Sequence, residues 1–152
     1  MTQIADPAAP RAASPDEINI RTLVDTFYDR IRRDDMLGPV FDQILAGRWE
    51  QHLPKMCDFW SSIVLGTKRY RGNVMQAHMP LQGLRGEHFN RWLYLFLDTV
   101  DRLYEPAAAM AFMTPALRIA QSLQLGLFGW DYVLPPEQQV LLARLQNRPA
   151  RP

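Results

Sequence analysis

Asn73-Val74-Met75-Gln76-Ala77-His78-Met79-Pro80 is the stretch on which the reading of this chain turns. It places one histidine at the end of a short helical run. Pro80 has no backbone donor, so the run is expected to close there. A glycine-containing loop over residues 81–86 follows. A neutral imidazole is a good metal ligand, and a short helix beside a loop lets its backbone adjust to a partner. An isolated histidine is more often exposed or satisfied in a core, so the surrounding pattern has to decide.

Upstream, Ser14-Pro15-Asp16-Glu17 reads as a helix start, with Ser14 as the cap, Pro15 in the first turn and Glu17 completing a capping box. Ile20, Leu23, Val24, Phe27 and Ile31 then keep helical spacing as far as about Arg33. Met36 to Phe41 contains Gly38-Pro39, which predicts a turn and one tight helical turn. Gly47 precedes a second long helix with Leu53, Met56, Trp60 and Val64 on one side, ended by Gly66. Pro54 falls inside that segment and predicts a kink or a late start. Downstream, Phe89, Trp92, Leu93, Phe96, Val100 and Leu103 mark a third long helix. Pro106 opens a fourth, bearing Phe112, Ala116, Ile119, Ala120 and Leu123 and ended by Gly126 and Gly129. A short helix is expected over residues 137–145. No stretch alternates with period two, so the fold class is all-α.

The chain has 152 residues, 47% hydrophobic and 22% charged, which fits one globular domain. A net charge of +1 gives no basic field for nucleic acid. No apolar run is long enough to span a membrane. One cysteine, Cys57, excludes an internal disulfide, and with no secretory signal the expected location is cytoplasmic. Residues 1–14 read as a disordered leader, 15–129 as the domain and 130–152 as a C-terminal extension. Sequence motifs for covalent haem attachment, for zinc hydrolysis and for phosphate loops are absent. Cys57 beside Phe59-Trp60 reads as a buried, inert thiol.

The remaining residues point to a planar iron cofactor. Such a group needs one axial nitrogen and a guarded opposite face. His78 is the candidate axial ligand. Tyr28, His52 and Trp92 are candidate donors to a bound gas, which acquires negative charge. Each also has a plainer reading as a core or core-edge residue. Phe41, Leu53, Met56, Phe59 and Trp60 would supply apolar contacts to a macrocycle. Lys55, Arg69, Tyr70 and Arg85 could meet its carboxylates, although exposed cations are common. His88 reads as a surface residue at a helix start.

Taken in order, Leu23-Val24-Asp25-Thr26-Phe27-Tyr28, Asp35-Met36-Leu37-Gly38-Pro39-Val40-Phe41, Trp49-Glu50-Gln51-His52, Phe59-Trp60, Leu65-Gly66, Tyr70-Arg71-Gly72, His78-Met79-Pro80-Leu81 and His88-Phe89-Asn90-Arg91-Trp92-Leu93 resemble the truncated haemoglobins, and within them the third group, found in bacteria. Arg118-Ile119-Ala120 extends the likeness, which covers roughly residues 18–128. The resemblance implies a shortened globin, two helices stacked on two around protohaem (haem b, iron). It implies that His78 is the proximal ligand, that Tyr28, His52 and Trp92 are distal, and that Phe41 packs on the haem edge. Pro54 and the tail beyond Gly129 depart from the pattern.

The expected function is therefore binding of dioxygen and other small diatomic ligands at ferrous iron, for gas chemistry or sensing rather than transport. A nitric oxide dioxygenase or peroxidase-like enzyme would use the same site and need a reductase as partner. The remaining alternatives are an all-α module whose aromatic residues are only core, and direct coordination of iron by His52 when no ligand is bound.

Overall fold

In the computed structural model, which describes residues 4–7, 9–78, 81 and 83–146 (the side chains of the last two excepted), helix α1 spans Glu17–Arg33 and is capped by Asp16 rather than Ser14. The Asp16 carboxylate accepts from the Asn19 backbone N–H at 2.7 Å, and Asn19 Oδ1 accepts from the Asp16 N–H at 2.8 Å. Asp16, itself in extended backbone, takes the cap position, so the reciprocal box forms two residues later than expected. Asn19 also donates to the Ser14 carbonyl and accepts from the Tyr104 hydroxyl.

Helix α2, Leu37–Leu45, is longer than the single turn read from the sequence. Gly38 and Pro39 sit in its first turn, where a missing N–H costs nothing. The Asp34 carboxylate accepts from the backbone N–H groups of Met36 and Leu37 at 3.1 and 2.9 Å, which starts the helix. Gly38 is required by proximity, since a Cβ there would stand 2.8 Å from the Arg32 carbonyl oxygen. Gly38→Ala is therefore expected to destabilise the fold by about 1–3 kcal/mol, because backbone cannot yield as a side chain can. A urea midpoint that drops at constant slope is the signature; an unmoved midpoint would mean the α1–α2 corner relaxes freely.

Helix α3 spans Trp49–Leu65 and contains Pro54 without a late start: the His52 N–H already bonds the Arg48 carbonyl at 3.1 Å, upstream of the proline. Gly66 ends it in left-handed backbone at φ 71°. The short α4, Val74–His78, and the long α5, Gly86–Leu103, follow. The closing role expected of Pro80 lies outside the described residues. Helix α6, Pro106–Phe128, continues through Pro115 and Gly126 and stops only at Gly129. Helix α7 is Pro136–Gln146.

These seven helices, with no strand among the described residues, build the expected two-on-two arrangement. Helix α1 pairs with α3 and α5 with α6, and the pairs meet through α1–α5 and α3–α6 contacts. Between them lie Phe27, Phe96, Phe112 and Ile31, each at most 1% exposed. Burial of each such side chain contributes roughly 1.5–3 kcal/mol.

The described segments on either side of the main helices are tied to this body. The Ala12 N–H donates to the Leu103 carbonyl at 2.8 Å, and the Glu105 N–H donates to the Ala12 carbonyl at 2.9 Å, so the described end of the segment read as a disordered leader pairs with the α5–α6 corner. In the tail, the buried Gln138 amide exchanges hydrogen bonds with the buried Gln124 of α6 and donates to Asn90 of α5 at 2.8 Å. Buried amides reward such pairing because an unmade bond is expensive.

Candidate functional site

A cavity of about 630 Å³ is lined by α1, α2, α3, α4, α5, α6 and the 69–73 connection. That is within the ~300–1,000 Å³ usual for small-molecule and cofactor sites. Its lining includes His78, Tyr28, His52, Trp92, Phe41, Met56, Phe59, Trp60, Lys55, Arg69 and Tyr70. Eleven candidates scattered over the sequence thus share one space. Leu53 and Arg85 do not: Leu53 packs against the main core, and the exposed Arg85 stands 3.6 Å from Glu87.

The imidazole of His78 is oriented by its own helix. Its Nδ1 lies 2.8 Å from the Val74 carbonyl one turn earlier. A carbonyl only accepts, so Nδ1 carries the proton and Nε2 keeps its lone pair. This is the tautomer a metal-ligating histidine needs, held by the backbone bond that commonly supports one.

His52 shows the complementary condition. Its Nε2 is buried and has no hydrogen-bond partner among the described residues. Such an orphaned atom is costly unless something absent from the protein chain completes it. Burial above all, with the neighbouring Lys55 ammonium, lowers its pKa from 6.5 to about 4. The ring is therefore neutral at pH 7. An extended or swung-out His52 takes up a proton more readily than the inward ring between pH 6.5 and 4, so acid favours the outward state and weakens the fold through that window. We expect His52 to titrate near pH 4 in histidine NMR of the protein; a midpoint near 6.5 would place the ring in water.

Tyr28 is 5% exposed and meets His52 edge-on, ring centroids 5.0 Å apart at 88°. Burial, then the neighbouring Tyr70 and Cys57, push its pKa above the ordinary phenol range, so it remains an O–H donor. Trp92 stacks on Phe96 at 5.0 Å, and Phe96 stacks in turn on Trp60 at 4.8 Å. These contacts fix the indole plane. Cys57 is half-buried, and burial pushes its thiol up to about 11, which keeps it the inert thiol expected.

Among the cations, Arg69 is occupied by Glu17 at 2.6 Å and Asp58 at 3.3 Å. Lys55 and Arg71 are exposed residues of the lining. The sequence reading gave Arg71 no part in the site and took His88 for a surface residue at a helix start. Far from being a plain surface residue, His88 is half-buried in the lining, its Nδ1 accepting from the Arg85 N–H at 3.0 Å. The signal was present: residues 88 and 92 are one helical turn apart and share a face. Ala116, Ile119 and Ala120 of α6 also line the cavity, small or flat enough to leave room beside Trp92.

These residues fit a flat macrocycle: one presented ring nitrogen, a buried orphan nitrogen on the same cavity, aromatic walls and cations at exposed lining positions. No family model matches the chain. The chain is 29% identical over 115 residues to a group 3 truncated haemoglobin of Campylobacter jejuni, across 74% of this chain and 91% of that protein. The crystal structure of the group III truncated haemoglobin from Campylobacter jejuni superimposes with a TM-score of 0.76 at 26% identity, covering 82% of this chain and 100% of that one.

Proposed function

We propose that this chain, similar to the group III truncated haemoglobins in both sequence and fold, is a haem protein that takes dioxygen and other diatomic gases at ferrous iron. The observation that carries the reading is the His78 imidazole, turned by the Val74 carbonyl so that Nε2 is free to bind a metal. His78 would hold haem b, whose iron would supply reversible binding of a small gas.

The chain's own residues then have distinct tasks. His78 anchors and orients. Tyr28 presents a hydroxyl that stays protonated, and Trp92 an indole N–H; both donate to a ligand gaining negative charge. His52, neutral and unpartnered at Nε2, adds a third contact or swings outward as a gate. Phe41, Met56, Phe59 and Trp60 exclude water. Lys55, Arg71 and Tyr70, which line the same cavity, would meet carboxylates of the cofactor. Several hydrogen bonds must break before the ligand leaves, which slows release and favours gas chemistry or sensing over transport.

The test is the visible spectrum of the purified, haem-supplied protein, with and without gas. An intense Soret band that shifts with dioxygen supports the reading; a chain that takes up no haem refutes it. Steady turnover of nitric oxide or peroxide with a supplied electron donor would assign the site to an enzyme, served by a reductase.

A further inference from the structure

We infer that Met75 is a positioning residue for the His78 imidazole, seated in a notch that Gly126 leaves in α6. The inference rests on the reading of His78 as the axial ligand. Helix α4 has five residues and none is buried. A helix that short does not hold its shape in water unaided. It must take its position from what it leans on, and it leans on α6.

The point of contact is specific. The Met75 methyl reaches the surface of α6 at Gly126, where any added Cβ would collide with that methyl, and would lie 3.1 Å from the Met75 sulfur. Gly126 lies inside the helix, two residues from its end, where glycine is disfavoured relative to alanine. The close approach of a neighbouring side chain gives that glycine a reason. Val74 and Met75 together pack against the buried cluster of Phe89, Leu93, Leu117, Ala120 and Leu123, which spans α5 and α6. Val74 also provides the carbonyl that holds His78 Nδ1. Seating Met75 therefore fixes the adjoining carbonyl, and the carbonyl fixes the ring. A thioether suits the task because it moulds to an irregular surface.

The test uses the haem-loaded full chain. Met75→Ala is expected to shift and broaden the iron–histidine stretching band of the ferrous protein in resonance Raman spectra. It should also raise the rate of haem transfer to an acceptor globin roughly 10–100-fold, the usual scale for losing a supporting contact to a metal ligand. Gly126→Leu, which fills the notch, should reproduce both effects. Met75→Leu, of similar volume, should restore both towards wild type. If Met75→Ala loses its helical circular dichroism, Met75→Gln carries the same comparison. An unmoved band with haem loss within about twofold of wild type, against that expected scale, overturns the assignment. A wild-type protein with no iron–histidine band would fail for a different reason, since that outcome rejects His78 as ligand.

Discussion

His78→Ala is expected to strip the chain of stable haem, lowering its affinity by more than about 100-fold, the upper end of what losing a mere supporting contact costs. His78 is the one candidate whose ring nitrogen is both freed and aimed by a backbone carbonyl. Replacing it leaves apolar walls that hold a macrocycle but no bond to its metal. The fold should survive, because α4 buries none of its residues and alanine is the best helix former. Circular dichroism should therefore match wild type while the Soret band falls. Free imidazole can enter the space the side chain vacates, so its addition should restore part of the band. A mutant with normal haem loading and an unaltered ferrous spectrum would show that another residue binds the iron.

Tyr28→Phe should speed dioxygen release roughly 10–100-fold. A hydrogen bond to an acceptor carrying charge is worth about 1.5–3 kcal/mol, one to two decades in rate. Tyr28 is buried in the cavity wall and its phenol is kept protonated, so the donor is present at all ordinary pH values. The ring itself stays useful: its edge contacts with His52, Phe27 and Phe41 survive removal of the oxygen. Stopped-flow displacement by carbon monoxide measures the effect. An off-rate equal to wild type would remove Tyr28 from ligand binding and leave it a core residue.

Much of this architecture was legible from periodicity. Leu23, Phe27 and Ile31, and again Phe89, Leu93, Phe96 and Val100, announce their helices because one apolar face repeats with helical spacing. Local chemistry misled where tertiary context outweighed it. Ser14 looked like a cap, yet Asp16 and Asn19 satisfy each other more directly. Gly126 looked like a helix end, yet the helix runs on to Phe128 and its Gly126 faces the Met75 side chain. Gly38-Pro39 looked like a break, yet Asp34 supplies the carboxylate that starts a longer helix. The site followed the same rule. His78, His52, Tyr28 and Trp92 carry chemistry that single residue types disclose. Arg71 and the α6 residues Ala116, Ile119 and Ala120 do not, because their part depends on which helix faces which. Leu53 and Arg85 fell outside the cavity for the same reason: sequence spacing places a residue on a face without saying what that face meets.

The paired amides of Gln124 and Gln138 bear on where this molecule may be cut. A chain ending at residue 129 would take the Gln138 partner from the Gln124 carboxamide and from Asn90, and would open to water a face that is now buried. Helix α7 is a lid over those groups, joined to them by paired side-chain amides. Fusion partners or affinity tags therefore belong beyond residue 146, and a minimal fragment designed from the shared region alone would begin with a defect in its floor.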